Sequence, residues 1–435
     1  MKRLLRIAVP GLLALLCIAC IAVWLSLRAS LPRRSGAAVL EGLGGDVTLE
    51  FDARGIPRIL AQALDDAFAA QGFVHAQDRY FQMDLSRRSA SGELAALLGT
   101  AAIGFDTQRR ALQLRSRAAG ILETLPRRHR EHLERYAAGV NAGLADLGSR
   151  PPEYLLLRQA PQPWRPEDSI LVAFALYTML SNNDSLELHN GALRELLPQA
   201  VFEFMTPSSA REDRPLAARS DADTSGGYEP MPVPGPESID LRRTTYDGSA
   251  DFVRQPLAPN GSNNWAIVGG PVGDQALLGN DPHLSLRVPN VFHRAELYWD
   301  DAVQRGVGIA GLPGILIGAN DFVGWGATVS YADQADYVVI DVDPSDTSRY
   351  LTRAGAEPFG TPRESIAVAG PTTPVDVEIR TTRWGPVVGE DFAGRPLALR
   401  ATWLDPDGFD FGLLDLAHAQ SSAEAIEILQ RWRGP

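Results

Sequence analysis

Between about residues 207 and 259 the chain turns to Pro, Ser, Asp, Gly and Arg and loses its apolar periodicity. Such a stretch cannot offset its ordering entropy by burial, so it divides the chain into two kinds of building material. Before it, apolar residues recur at helical spacing; after it they come in short β-rich runs. Helices gathered in one part and strands in the other imply an α+β chain rather than an alternating βαβ one. The stretch ends at Pro259-Asn260-Gly261-Ser262-Asn263-Asn264-Trp265-Ala266-Ile267-Val268, where a small, unhindered Gly-Ser bond leads into what reads as a buried strand. If the chain is cut before Ser262, that residue carries both a hydroxyl nucleophile and an α-amine with a reference pKa of ~7.7–8.0. Nucleophile and general base then need no triad.

Composition removes several other chemistries. Acidic residues outnumber basic ones, 53 to 41, and the net charge of −12 argues against a nucleic-acid partner. Both cysteines, Cys17 and Cys20, lie in one N-terminal apolar segment, which leaves the rest of the chain without a disulfide, a thiol nucleophile or a Cys-ligated metal. That segment follows the basic run Met1-Lys2-Arg3-Leu4-Leu5-Arg6 and is long enough to span a bilayer as a helix. Residues 1–35 therefore read as a signal peptide or membrane anchor, with the globular part periplasmic or otherwise outside the cytoplasm. Arg28, Arg33 and Arg34 follow the apolar run, so basic residues flank it on both sides and leave its orientation open.

A hairpin is expected from the alternation at 47–52 and the turn at 54–59. A helix should open at Asp65 and carry Phe68, Gly72, His75 and Ala76 on through Asp84. His75 reads there as a structural residue, and Arg79, Arg87 and Arg88 as helix-face partners of Asp78 and Asp84. Helices are also expected at 105–125, at 126–147 and from Asp168. His129 and His132, among Arg127, Arg128 and Arg130, read as a solvated face. Past Ser262, strands are expected at 265–268, 276–278, 303–309, 315–318, 338–342, 375–379 and 397–401.

Five further motifs follow Ser262 in order: Asn280-Asp281-Pro282-His283-Leu284, Pro313-Gly314, Gly318-Ala319-Asn320, Gly324-Trp325-Gly326-Ala327-Thr328 and Asp333-Gln334-Ala335-Asp336. With the helical run Gln77-Asp78-Arg79-Tyr80-Phe81-Gln82-Met83-Asp84, these make residues 38 to 435 resemble the penicillin acylase family of N-terminal-nucleophile (Ntn) hydrolases. The resemblance implies a four-layer αββα sandwich, incomplete at the C-terminus. It implies an α-chain at 36–206, a spacer at 207–261 and the first part of a β-chain at 262–435, the two chains forming a heterodimer cut from one precursor. Self-cleavage would fall between Gly261 and Ser262.

By the same resemblance Ser262 is the nucleophile, the Val329 backbone N–H is an oxyanion donor, and His283 stands near the nucleophile. Leu284, Ile317 and Ala327 fall at acyl-pocket positions where benzyl-binding relatives carry Phe, Phe and Ser, so a linear acyl chain is as open as an aromatic one. Glu187, Asp333, Asp336 and the Ala335 carbonyl match positions that hold Ca²⁺, and no organic cofactor is implied. The family's second oxyanion donor, an asparagine side chain, falls beyond Arg433-Gly434-Pro435, so the chain reads as a partial precursor. The expected substrate is an N-acyl amide. A Ser-His-Asp hydrolase is the other enzyme class to consider, but the sequence has no Gly-x-Ser-x-Gly elbow. A catalytically silent envelope-binding protein that keeps the fold is the non-enzymatic alternative.

Overall fold

The computed structural model describes residues 2–180, 183–207, 231–240, 261–269, 273, 275–284, 286–329 and 332–434. Most of the expected spacer at 207–261 therefore lies outside the described residues. The first part is helical: α1 (Lys2–Ala29), α2 (Leu64–Ser91), α3 (Ala95–Leu98), α4 (Ile103–Arg110), α5 (Leu114–Thr124), α6 (Arg127–Asp146), α7 (Pro152–Leu157), α8 (Pro166–Leu180), α9 (Asn183–Leu196) and α10 (Gln199–Met205). A last helix, α11 (Ser422–Arg431), is capped by the Ser421 hydroxyl, which accepts from the Glu424 N–H. From Pro10 onward α1 is apolar and exposed, and it is long enough to cross a membrane.

Helix α2 organises this part. Asp65 and Asp66 sit in its first turn, where the helix dipole favours negative charge, and Gly92 ends it in the left-handed region. It crosses α6 with the backbones in contact, because Gly72, Gly139 and Gly143 leave no side chain between them: a Cβ on Gly139 would lie 1.8 Å from the Ala69 carbonyl oxygen. The helix expected over 105–125 is broken, since Gln113 adopts a φ of 53° between α4 and α5.

The expected hairpin is present as β1 (Thr48–Phe51) and β2 (Pro57–Ala61). At Ser262 a two-stranded antiparallel ribbon pairs β3 (Gly261–Val268) with β4 (Ala276–His283). Next come β5 (Phe292–Trp299), β6 (Ala302–Ile309), β7 (Ile317–Ala319) and β8 (Gly324–Trp325). With the hairpin they form a six-stranded sheet in the order β1-β2-β5-β6-β7-β8, in which β2 runs parallel to β5. The rest comprises β9 (Ala335–Val339), the hairpin β10 (Arg349–Thr352) and β11 (Gly355–Pro358), and the pair β12 (Arg363–Ile366) and β13 (Val375–Glu378). Finally β14 (Thr381–Thr382), β15 (Gly385–Glu390) and β16 (Pro396–Ala401) join β9 in the order β14-β15-β16-β9. The fold is α+β. Phe68, Leu171 and Phe174 from the helices share one core with Leu297, Trp299, Trp325, Leu399 and Trp403 from the strand-rich part.

Three expectations are corrected here. The β3 strand is exposed rather than buried: it belongs to a two-stranded ribbon, and Trp265, Ile267 and Val268 are 48%, 43% and 78% exposed. His129 and His132 are not solvated but buried, because the face of α6 that carries them packs inward. His129 Nε2 lies 2.9 Å from Asp415 and His132 Nδ1 2.5 Å from Asp65. Arg87 and Arg88 are also buried, sharing Asp84, while Asp168 bridges Arg87 to Arg115. Burial works against the Arg87 charge, but Asp168 and Asp84 hold its pKa above the ordinary value.

Candidate active site

The ribbon sets the geometry around Ser262. Gly261 pairs with His283, Ser262 with Pro282 and Asn263 with Asp281, so the Gly-Ser bond and the Asn280–Leu284 motif lie side by side. The Val329 N–H donates to Ser262 Oγ at 3.0 Å. An oxyanion formed by attack of that hydroxyl would therefore arise next to a fixed backbone donor. His283 is half-exposed; its Nε2 lies 3.0 Å from Asp281 Oδ2, and its Nδ1 would be 3.1 Å from a Cβ placed on Gly261. The imidazole thus covers the Gly261 side of the Gly-Ser bond, and no hydrogen bond joins it to Ser262.

A cavity of about 230 Å³ adjoins the ribbon, lined by Asn280, Pro282, Leu284, Val291, Phe292, Val307 and Ile317 among others. Its walls are mostly apolar, as an acyl chain requires. Leu284 and Ile317 thus share one cavity. Ala327 lies beside the lining, held through its backbone: its N–H donates to Asn280 Oδ1 at 2.7 Å and its carbonyl accepts from Asn280 Nδ2 at 3.1 Å. Sequence reading placed Asn280 in a motif but gave it no role. A cavity of similar size beside Arg128, Asp415, His418 and Arg431 contains none of these residues.

The β6–β7 loop that leads into the cavity wall is braced from α2 and α6. Gln71 exchanges two hydrogen bonds with Gly314, at 3.0 and 2.8 Å, and the Tyr136 hydroxyl accepts the Gly311 N–H at 2.9 Å. His75 Nδ1 lies 2.7 Å from that hydroxyl, which confirms His75 as structural, while its Nε2 is buried without a partner. Burial pushes the His75 pKa well below the usual imidazole value, with His293 and Arg79 adding to the effect. A neutral His75 can accept a hydrogen bond from the Tyr136 hydroxyl at Nδ1. The loop between β6 and β7 is thereby fixed before Ile317 enters the cavity.

The acidic residues also meet. Ligand oxygens of Glu187 (α9), Asp333 and Asp336 (β9) lie within 4.8 Å of one another, and Glu187 Oε2 also accepts the Tyr337 N–H at 3.3 Å. Three converging carboxylates are the donor set a hard cation such as Ca²⁺ takes, so the residues fit the ion. Ala335, buried at the start of β9, stands between the two aspartates in sequence.

A serine hydroxyl on a strand, a backbone N–H aimed at it and an adjoining apolar cavity are features that a hydroxyl-nucleophile acyl-transfer hydrolase uses. Residues 46–435 match the penicillin amidase family, and the chain belongs to it. It is 31% identical over 424 residues to penicillin acylase 2 proenzyme of Pseudomonas sp. (strain SE83), covering 94% of this chain and 52% of that protein. It is 29% identical over 423 residues to the acyl-homoserine lactone acylase QuiP of Pseudomonas aeruginosa, covering 93% and 49%. The chain thus spans about half the length of these relatives. Among solved structures, a thermostable penicillin G acylase from Alcaligenes faecalis aligns at 23% identity with a TM-score of 0.35, over 40% of this chain and 98% of that one.

Proposed function

We propose that this chain carries the nucleophile of a self-cleaving N-acyl amide hydrolase. The observation that carries the reading is the Val329 N–H donating to Ser262 Oγ at 3.0 Å. In maturation the Ser262 hydroxyl attacks the Gly261 carbonyl carbon, the C–N bond breaks as the acyl group passes to oxygen, and water hydrolyses the ester. Gly261 opposes that attack least because it has no Cβ. The freed α-amine of Ser262 then takes the hydroxyl proton as the oxygen attacks a substrate amide, and returns it to the leaving amine. Val329 stabilises the oxyanion, and water releases the acid from the acyl-enzyme. His283, which lies over Gly261, would assist turnover from beside the nucleophile.

The domain reading follows: a signal peptide or anchor at 1–35, an α-chain at 36–206, a spacer at 207–261 and β-chain sequence from Ser262, with the two chains remaining together as a heterodimer in a four-layer αββα core. The exposed α1 helix supports export or anchoring, with the globular part outside the cytoplasm. Glu187, Asp333, Asp336 and the Ala335 carbonyl would hold Ca²⁺, which would tie the α-chain to the β-chain. The apolar cavity and the names of the relatives support penicillin side chains or N-acyl homoserine lactones as substrates.

Intact mass and N-terminal sequencing of the full-length protein, followed by kcat/KM on penicillins, N-acyl homoserine lactones and N-acyl amino acids, test this. A new chain beginning Ser262-Asn263-Asn264 and release of a free amine are expected. A folded chain that stays uncut and turns over none of these amides refutes the reading and leaves the silent envelope protein.

A further inference from the structure

We propose that Asn280 is the positioning residue for the oxyanion donor, holding the backbone ahead of Val329 against the nucleophile strand. The inference rests on the acylase reading above. The Asn280 side-chain amide behaves as one peptide unit of a missing strand. Its Oδ1 accepts the Ala327 N–H at 2.7 Å and its Nδ2 donates to the Ala327 carbonyl at 3.1 Å, the two-way exchange that an antiparallel neighbour would make. The same Nδ2 donates at 3.0 Å to the carbonyl of Asn263, the residue after the nucleophile. One amide group therefore joins the backbone next to Ser262 to the backbone two residues before Val329.

A second observation shows how close this approach is. A Cβ on Gly326 would lie 2.5 Å from Asn264 Nδ2 and 2.7 Å from Asn280 Oδ1, so any side chain at 326 would push on both amides, and glycine leaves them where they are. Neither Ala327 nor Val329 belongs to a strand, although β8 ends just before them at Trp325. Among the described residues no sheet ladder includes Val329 to hold the donor in place, and the side chain of Asn280 takes that role. Asn280 bonds to neither Ser262 Oγ nor the Val329 N–H; because it also lines the cavity, an effect on acyl binding would appear in KM, whereas an effect through Val329 appears in kcat.

The test compares full-length wild type with Asn280→Ala and Asn280→Gln, counting active sites from the burst of 4-nitrophenol. The probes are 4-nitrophenyl octanoate, 4-nitrophenyl phenylacetate and their C=S thionoester counterparts. In Asn280→Ala, kcat per site on the oxygen esters should fall roughly 10- to 100-fold, part of what loss of a whole donor costs, with KM within about threefold. The thionoesters should lose less, because a thiolate anion gains little from an N–H donor. Asn280→Gln, which keeps the amide on a longer stem, should fall between the two, and it takes over the comparison if the alanine variant does not fold. Wild-type kcat per site in the variants, or equal losses on oxygen and sulfur esters, overturns the role of Asn280. A wild type that releases no 4-nitrophenol from any probe overturns the acylase reading itself, and with it this inference.

Discussion

Replacing Gly139 by alanine tests whether the α2–α6 crossing fixes the scaffold behind the site. The added Cβ would lie 1.8 Å from the Ala69 carbonyl oxygen and 2.6 Å from the Ala69 carbonyl carbon. Contacts of this kind become ordinary only at 3.4 Å, so the helices must part locally by the difference, 1.6 Å. Both colliding groups belong to helix backbones, so no rotamer change relieves them. Overpacking typically costs ~1–3 kcal/mol, and backbone contact on both sides puts this site at about 3 kcal/mol. Alanine's helix propensity returns about 1 kcal/mol, leaving a net loss of roughly 2 kcal/mol. Gly120 on α5 is the matched control, since a Cβ there meets nothing within 4 Å. Gly120→Ala should therefore stabilise, by ~0.5–1 kcal/mol. Urea unfolding of the two variants should move the midpoint in opposite directions at unchanged slope. A stabilised Gly139→Ala would refute the close-crossing argument.

Ser262→Ala should leave a single chain by intact mass and abolish turnover, because one hydroxyl serves both cleavage and catalysis; turnover by a folded variant would exclude Ser262 as nucleophile. If Ca²⁺ occupies the Glu187–Asp333–Asp336 cluster, chelation should lower the unfolding midpoint and added Ca²⁺ restore it, by about 2.7 kcal/mol at a hundredfold excess over Kd; an unmoved midpoint after confirmed metal removal excludes a stabilising ion. Burial lowers the pKa of His75 well below the unfolded value, so the unfolded chain binds more protons below about pH 6.5 and stability falls on acidification, by up to ~1.4 kcal/mol per pH unit. The lowered carboxyl pKa values of Asp65, Asp78 and Asp415 add losses only further into acid; equal urea midpoints at pH 7.5 and 5.5 would show that His75 is not held neutral.

How much of this was legible in the sequence depended on whether a residue's role lay in its local pattern. The β1–β2 hairpin, the start of α2 and the α+β division all follow from alternation, periodicity and composition, which neighbours in sequence report directly. The inward face of β5 was missed because His293 and Ala295 share it with Leu297 and Trp299, so the alternation does not read as apolar. His129 and His132 were read as solvated because their carboxylate partners, Asp415 and Asp65, lie 286 and 67 residues away. Arg87 raised the same difficulty: Asp84 is three residues off, but Asp168, which allows its burial, is 81 away.

The same distinction separates the residues around Ser262. Ser262 acts through its side chain, so its residue type is legible directly, whereas Val329 acts through a backbone N–H and is found only through the Gly324-Trp325-Gly326-Ala327-Thr328 run that precedes it. Asn280 instead acts on the carbonyls of Asn263 and Ala327 and on the Ala327 N–H, groups that every residue but proline possesses. Nothing in residue identity at 263 or 327 announces such a partner, and an asparagine just before Asp-Pro reads as a turn former. Only the approach of the 326–329 backbone to the ribbon gives that amide its task. The trace it leaves in sequence is indirect: Gly326, where a Cβ would meet Asn280 Oδ1 at 2.7 Å.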